Sequence, residues 1–130
     1  MALIPLASKG NFFHIYDFWV KPGTGKEFVK LFEEFDYSDD NPMHKSDAQI
    51  KDGVMLRDTE DADHFYLIGE WSSVEEHQRI LVEMKELAPD FVKYIEDLDK
   101  GAFMPKYAEI VSSTPPVSYT HLTLPTILRV

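Results

Sequence analysis

The chain of 130 residues contains no cysteine. This removes thiolate nucleophiles, cysteine-built zinc sites and dithiol redox motifs from consideration. It is also short of positive charge: 13 Lys and Arg stand against 23 Asp and Glu, a formal charge of −10. Nucleic acid and anionic membrane are bound through basic patches, so neither is expected as a partner. No apolar run is long enough to span a bilayer. Residues 2–7, ALIPLA, are too short for a signal-peptide core and lack a basic start. These absences point to a water-soluble domain, expected in the cytoplasm. What the chain has in quantity is apolar: 44% of it is hydrophobic and 13% aromatic. A domain of this size buries roughly two thirds of its unfolded surface, so such a core needs no disulfide or metal staple.

The last fourteen residues, VSYTHLTLPTILRV (117–130), differ from the body and carry one charge, Arg129. The stretch VSYTHLTLPT resembles the translation of a transposase-type sequencing adaptor, with an index then encoding Ile127 to Arg129 and the frame closing at Val130. The alternative is a Thr- and Leu-rich terminal strand. On the resemblance, the chain divides into an N-terminal arm (1–11), a domain (12–112), and a linker with an adaptor-derived tail (113–130) that is set aside from fold reasoning.

Residues 12–20, FFHIYDFWV, are aromatic and β-prone throughout and predict a strand. Phe12, His14, Tyr16, Phe18 and Val20 share one face. Phe13, Ile15, Asp17 and Trp19 share the other. Both faces are largely apolar, so both are expected to be covered. After Pro22-Gly23, Thr24 and Glu27 form a T-x-x-E capping box. Phe28, Leu31, Phe32 and Phe35 give a helix over 25–35 one apolar face. DYSDDNP (36–42) then breaks the chain. It lacks the spaced ligands, central glycine and terminal glutamate of a calcium loop and reads as solvated.

Residues 49–57 predict a second strand, with a bulge or close approach at Gly53. A polar turn (58–63) leads to a third strand, HFYLIGEW (64–71), completing a hairpin. Ser73 and Glu76 form a second capping box. Val74, His77, Leu81, Met84 and Ala88 make the inward stripe of the helix that follows. Phe91, Tyr94, Ile95 and Leu98 mark a short third helix ended by Gly101, and 106–112 a last strand. The order β-α-β-β-α-α-β is an α+β, ferredoxin-like arrangement: one antiparallel sheet with helices on one face. The other face carries Phe13, Ile15 and Trp19, an apolar patch if left exposed. A twofold homodimer built sheet to sheet covers it economically.

Several stretches occur in a familiar order: Val20-Lys-Pro-Gly23, Lys26-Glu-Phe28, Leu56-Arg-Asp58, Asp61 to Phe65, and GEWSSVEEH from Gly69 to His77. Together, over about residues 11–112, they resemble the antibiotic biosynthesis monooxygenase (ABM) domain family, whose members are dimeric α+β barrels. The resemblance implies oxygenation of polycyclic or quinol substrates by O2 with no metal, flavin or other cofactor. A related branch binds and degrades haem through an Asn on the first strand, a Trp on the second helix and a later His. Here Tyr16 and Ile80 stand at the first two positions, and no His lies between Gln78 and Val111, which disfavours haem. His77 also falls earlier after Trp71 than the family's E-x-x-x-H placement.

Cofactor-free oxygenation needs an apolar pocket for a flat aromatic substrate, a base or acceptor for its proton, and donors for the oxyanion that forms. His77, at a core-facing step of an apolar stripe, is the candidate base and is expected to titrate near neutrality. His14 and Tyr16 are candidate partners from the first strand. Phe12, Phe18, Trp71, Leu81 and Met84 are candidates for the substrate-binding wall. The third strand offers either Tyr66 and Glu70 or Phe65 and Trp71. Each has a structural alternative: a histidine satisfied by a backbone carbonyl, or an aromatic that only packs. Glu70 reads as structural, paired with Arg57 across the hairpin, and His44 and His64 as solvent-side loop residues. Two histidines without a spacing motif give no metal site. The function expected is a small dimeric oxygenase acting on a hydrophobic aromatic molecule, or else a non-catalytic small-ligand-binding or regulatory dimer.

Overall fold

In the computed structural model, which describes residues 4–97 and 104–114, the first strand follows the predicted alternation. Strand β1 (Phe12–Trp19) buries His14, Tyr16 and Phe18, while Asp17 and Trp19 face out. Helix α1 (Gly25–Asp36) buries Phe28 and Phe32. Strands β2 (Val54–Arg57) and β3 (His64–Trp71) form the hairpin. Helix α2 (Val74–Leu87) and β4 (Lys106–Glu109) complete the fold. All three strand pairings are antiparallel, in the order β2-β3-β1-β4. This is the ferredoxin-like α+β arrangement. The core lies between helices and sheet, where Phe28 meets Phe65, Phe18 and Phe91 at 5.1, 6.0 and 6.0 Å between ring centres.

Local details depart from the sequence reading for identifiable reasons. The ladder of β2 is shorter than 49–57: Gln49 bridges Trp71, but pairing resumes only at Val54. Between them Gly53 passes so close to β3 that a Cβ there would stand 3.0 Å from the Ile68 carbonyl oxygen. The Thr24 hydroxyl donates to the Lys21 carbonyl at 2.6 Å and does not cap α1. Ser73 does cap α2, accepting from the Glu76 N–H at 3.1 Å, but the Glu76 carboxylate turns to Arg79, so only half of the box forms. Ile80 joins His77, Leu81 and Met84 in the buried stripe, whereas Ala88 is the exposed left-handed C-cap. The predicted third helix is a 3₁₀ turn, Asp90–Tyr94; Leu98 and Gly101 lie outside the described residues, as does the 117–130 tail. The loop read as solvated ends in another 3₁₀ turn, Pro42–Lys45, capped by the Asn41 side chain.

The sheet face away from the helices is open in the single chain except at Glu70, which the N-terminal arm covers. Register puts Phe13, Ile15, Asp17, Trp19, Val54, Leu56, His64, Tyr66, Ile68 and Glu70 on it. Trp19 (49%), Val54 (49%) and Leu56 (43%) are exposed. Two expectations are corrected here. His64 is not a loop residue: it opens β3, stacks on Trp19 at 3.9 Å and binds Asp17. Glu70 is not paired with Arg57, which sits opposite Phe65. Its carboxylate is buried under the N-terminal arm, accepting from the Ser8 N–H at 2.9 Å and the Asn11 side-chain amide at 2.8 Å, with Lys51 Nζ at 3.7 Å. Lys51 in turn donates to the Leu6 carbonyl at 2.8 Å. One carboxylate therefore pins the arm to the sheet. Glu70→Ala strands these donors and is expected to cost about 2–4 kcal/mol. Chemical denaturation should show that loss, together with faster proteolysis within residues 4–11; unchanged stability would refute the pinning role.

Candidate active site

The strand register assembles the candidate site. His14 and Tyr16 point from β1 to the helix side, with Gly69 and Leu67 of β3 opposite them on one flank. On the other flank Tyr107 of β4 stands opposite His14. Above them α2 lowers His77, 1% exposed, onto the sheet. The His14 and His77 rings stack at 4.6 Å and 26°. Tyr16 lies 5.2 Å from His14 and 6.1 Å from His77 between ring centres. Trp71 meets His77 edge-on at 4.8 Å. The Tyr107 hydroxyl lies 2.7 Å from His77 Nδ1. Gly69 makes the stack possible, because a Cβ there would fall 2.6 Å from His14 Nε2.

Burial dominates the electrostatics. It lowers His14 to about 3, with His77 lowering it further and a hydrogen bond to the Leu67 backbone opposing. It lowers His77 to about 4. Both imidazoles are therefore neutral at pH 7, and His77 does not titrate near neutrality as its sequence context suggested. Burial also pushes Tyr107 up to about 12 and raises Tyr16 well above the ordinary tyrosine range, so both hydroxyls keep their protons. With Tyr107 donating to Nδ1, His77 carries its proton on Nε2. His77 Nε2, His14 Nδ1 and Trp71 Nε1 are buried without a hydrogen-bond partner among the described residues. Such groups are costly to leave unpaired and favour a polar ligand atom in contact with them.

The space beside them has two parts. An inner cavity of about 40 Å³ is lined by His14, Tyr16, His77, Leu67, Met84 and Phe91 at its deep end. Phe32, Asp36, Asn41, Met43 and His44 line it from the α1 side and the capped turn. A groove of about 940 Å³ between α1 and β2 shares Phe32, Asp36 and Gly53 with the cavity and has Val29, Met55 and Phe65 on its apolar wall. The inner part has room for a few waters or a diatomic gas. The groove has the size of a small-molecule site.

The three residues named from sequence as catalytic candidates thus converge. Of the five expected on the substrate wall, Met84 lines the cavity. Trp71 packs on His77. Phe12, Phe18 and Leu81 line neither space: Phe18 is fully buried against Tyr16 and Phe28, and Leu81 sits in the core. Of the two pairs that β3 offered, Phe65 and Trp71, not Tyr66 and Glu70, lie on the helix side, together with Leu67. Tyr107 was missed, although the alternation of Lys-Tyr-Ala-Glu made it the one aromatic β4 could turn toward the helices. Among the described residues no group of three or more His, Asp or Glu could hold a metal ion. No helix among them is long and apolar enough to cross a membrane.

No family model matches the chain, and neither does any curated protein. Solved structures do. A putative antibiotic biosynthesis monooxygenase from Bordetella bronchiseptica superposes with a TM-score of 0.55 at 15% identity, covering 85% of this chain and 100% of that one. One from Chloroflexus aurantiacus gives 0.54 at 14%, covering 82% and 99%. A variant of SnoaB, a cofactor-independent oxygenase from Streptomyces nogalater, gives 0.54 at 12%, covering 79% and 93%. The chain has the ABM-like fold, as the sequence motifs implied.

Two measurements probe this geometry. Both histidines are depressed below their ordinary 6.5 in the folded protein, so the unfolded chain binds more protons below that pH. Their stabilising contribution is complete above pH 6.5 and is lost as pH falls, down to about 4 for His77 and about 3 for His14. Each tenfold drop in a histidine's proton affinity on folding corresponds to about 1.4 kcal/mol. Thermal unfolding should show a falling midpoint over that window, shallower in His77→Gln; a flat wild-type profile would show that the imidazoles are not held neutral. Gly69→Ala is expected to cost about 1–3 kcal/mol by overpacking. Combining it with His14→Ala should recover part of the loss in a double-mutant cycle, whereas strict additivity would mean the two do not touch.

Proposed function

We propose that this protein is a cofactor-independent, O2-dependent oxygenase of the ABM type, acting on a small aromatic or quinol-like molecule as a cytoplasmic homodimer. The observation that carries the reading is the meeting of His14, Tyr16 and His77 on the wall of a small cavity, with the Tyr107 hydroxyl bonded to His77 behind them. A flat substrate lies in the groove against Val29, Phe32, Met55 and Phe65, with its reacting edge turned to the cavity. The Nε2–H of neutral His77 offers a hydrogen bond to the oxyanion left when the substrate loses a phenolic proton, while His14, whose N–H is held by the Leu67 backbone, presents Nδ1 as an acceptor. That electron-rich anion reduces O2. In the oxidation of a phenol-activated methylene to a carbonyl, one oxygen atom stays as the carbonyl, the other leaves as water, and the substrate supplies all the electrons. The exposed apolar residues of the open sheet face, Trp19, Val54 and Leu56, support a sheet-to-sheet dimer.

A second reading is a non-catalytic ligand-binding or regulatory dimer on the same fold. It is favoured by the smallness of the inner cavity, which Phe32, Met43, Met84 and Phe91 nearly close. Oxygen-electrode assays with a panel of anthrones and hydroquinones separate the two. The oxygenase reading predicts uptake above the spontaneous rate and a loss on the order of tenfold to a hundredfold in His77→Ala, the range of a hydrogen bond to a developing charge. Binding without uptake would leave the second reading standing, and absence of both would overturn the two together.

A further inference from the structure

The deep imidazoles are poor proton acceptors, because burial has stripped them of basicity. The same cavity carries a different pair at its outer end. Asp36, the last residue of α1, and His44, in the capped turn, both line it, and Asp36 also lines the groove. Asp36 Oδ1 lies 3.0 Å from His44 Nε2. The Asn41 side-chain amide donates to the same oxygen at 3.2 Å. Asn41 is itself fixed: 4% exposed, with its carbonyl oxygen accepting from the Met43 N–H at 3.0 Å. The segment DYSDDNPMH, a plain polar loop by composition, thus folds back so that its two ends meet over the cavity.

We propose that His44, oriented by Asp36, is the group that takes the substrate's proton, and that the deep His77, through its Nε2–H, only binds the resulting anion. This deepens the oxygenase reading and rests on it. The Asp36 contact assigns the His44 proton to Nε2 and leaves Nδ1 as the basic nitrogen. The phenolic O–H bond breaks, its proton passes to Nδ1, and the electron pair stays on oxygen as aryloxide. The Asp36 carboxylate stabilises the imidazolium that forms. Asp36 is raised by its own burial and by Asp52, and held down by His44 and Asn41. With 30% of its side chain exposed, His44 can pass the proton on to solvent, which the deep histidines, 5% and 1% exposed, cannot do directly. His44 is thus the catalytic base, Asp36 a positioning residue, and Asn41 the support of both.

The test needs no turnover. The probe is 2-hydroxyanthraquinone, a flat phenol whose anion absorbs at longer wavelength, titrated anaerobically with the whole protein near neutral pH. Wild type should bind it with roughly tenfold more phenolate than the free dye shows, the effect of one opposite charge in contact. His44→Gln should bind it without that enrichment, Asp36→Asn with a reduced one, and His77→Gln with the enrichment kept but weaker binding. Circular dichroism confirms that each variant is folded, and Asp36→Asn serves as the second variant should His44→Gln fail. Equal phenolate in wild type and His44→Gln, or loss of enrichment in His77→Gln alone, would overturn the assignment of His44 while leaving the aromatic-ligand reading intact. Failure of wild type to bind the dye would overturn that reading, and the inference with it.

Discussion

The stacking of His14 on His77 over Gly69 is the contact from which the rest of the site follows. A glycine in β3 lets one imidazole lie almost against the sheet backbone. That leaves the height of a second ring for α2 to fill with His77. The helix then stands close enough for Tyr107 of the neighbouring strand to reach Nδ1. A larger residue at 69 would lift His14 into the space of His77 and break the link between α2 and β4. Interiors are close-packed, so a displacement of this size is not absorbed locally.

Burial gives the histidines of this chain distinct chemistry. His14 and His77 are deep and neutral, and His77 keeps an unpartnered Nε2–H among the described residues. His44 and His64 each meet a carboxylate nearer the surface, the former at the cavity and the latter on the open face. Desolvation acts on the first pair with little to oppose it, whereas each member of the second has an anionic partner in contact. In the proposed reaction, anion binding falls to the deep His77 and proton transfer to the shallower His44, one residue type divided by depth and partner.

Much of this was legible in the sequence. The alternation in 12–20 assigned His14 and Tyr16 to one face, the stripe in α2 turned His77 inward, and the motif order led to the fold that solved structures share. What was not legible depends on three dimensions. The Thr24 hydroxyl turns back to the Lys21 carbonyl and does not accept from an N–H of the first helical turn. Glu70 found its partners in an arm about sixty residues away, not across its own hairpin. The ends of the 36–44 loop meet because Asn41 caps a turn that composition alone does not announce. The depth that robs His77 of basicity likewise belongs to packing and not to periodicity.

Everything proposed for this site requires that the inner imidazoles face the bound aromatic ligand. Imidazole ¹⁵N resonances, followed during anaerobic titration with a hydroquinone, report on that contact atom by atom. His77 Nε2 and His14 Nδ1 are predicted to shift as they gain a partner while both rings stay neutral at pH 7. Saturable binding that leaves both resonances unmoved would contradict it.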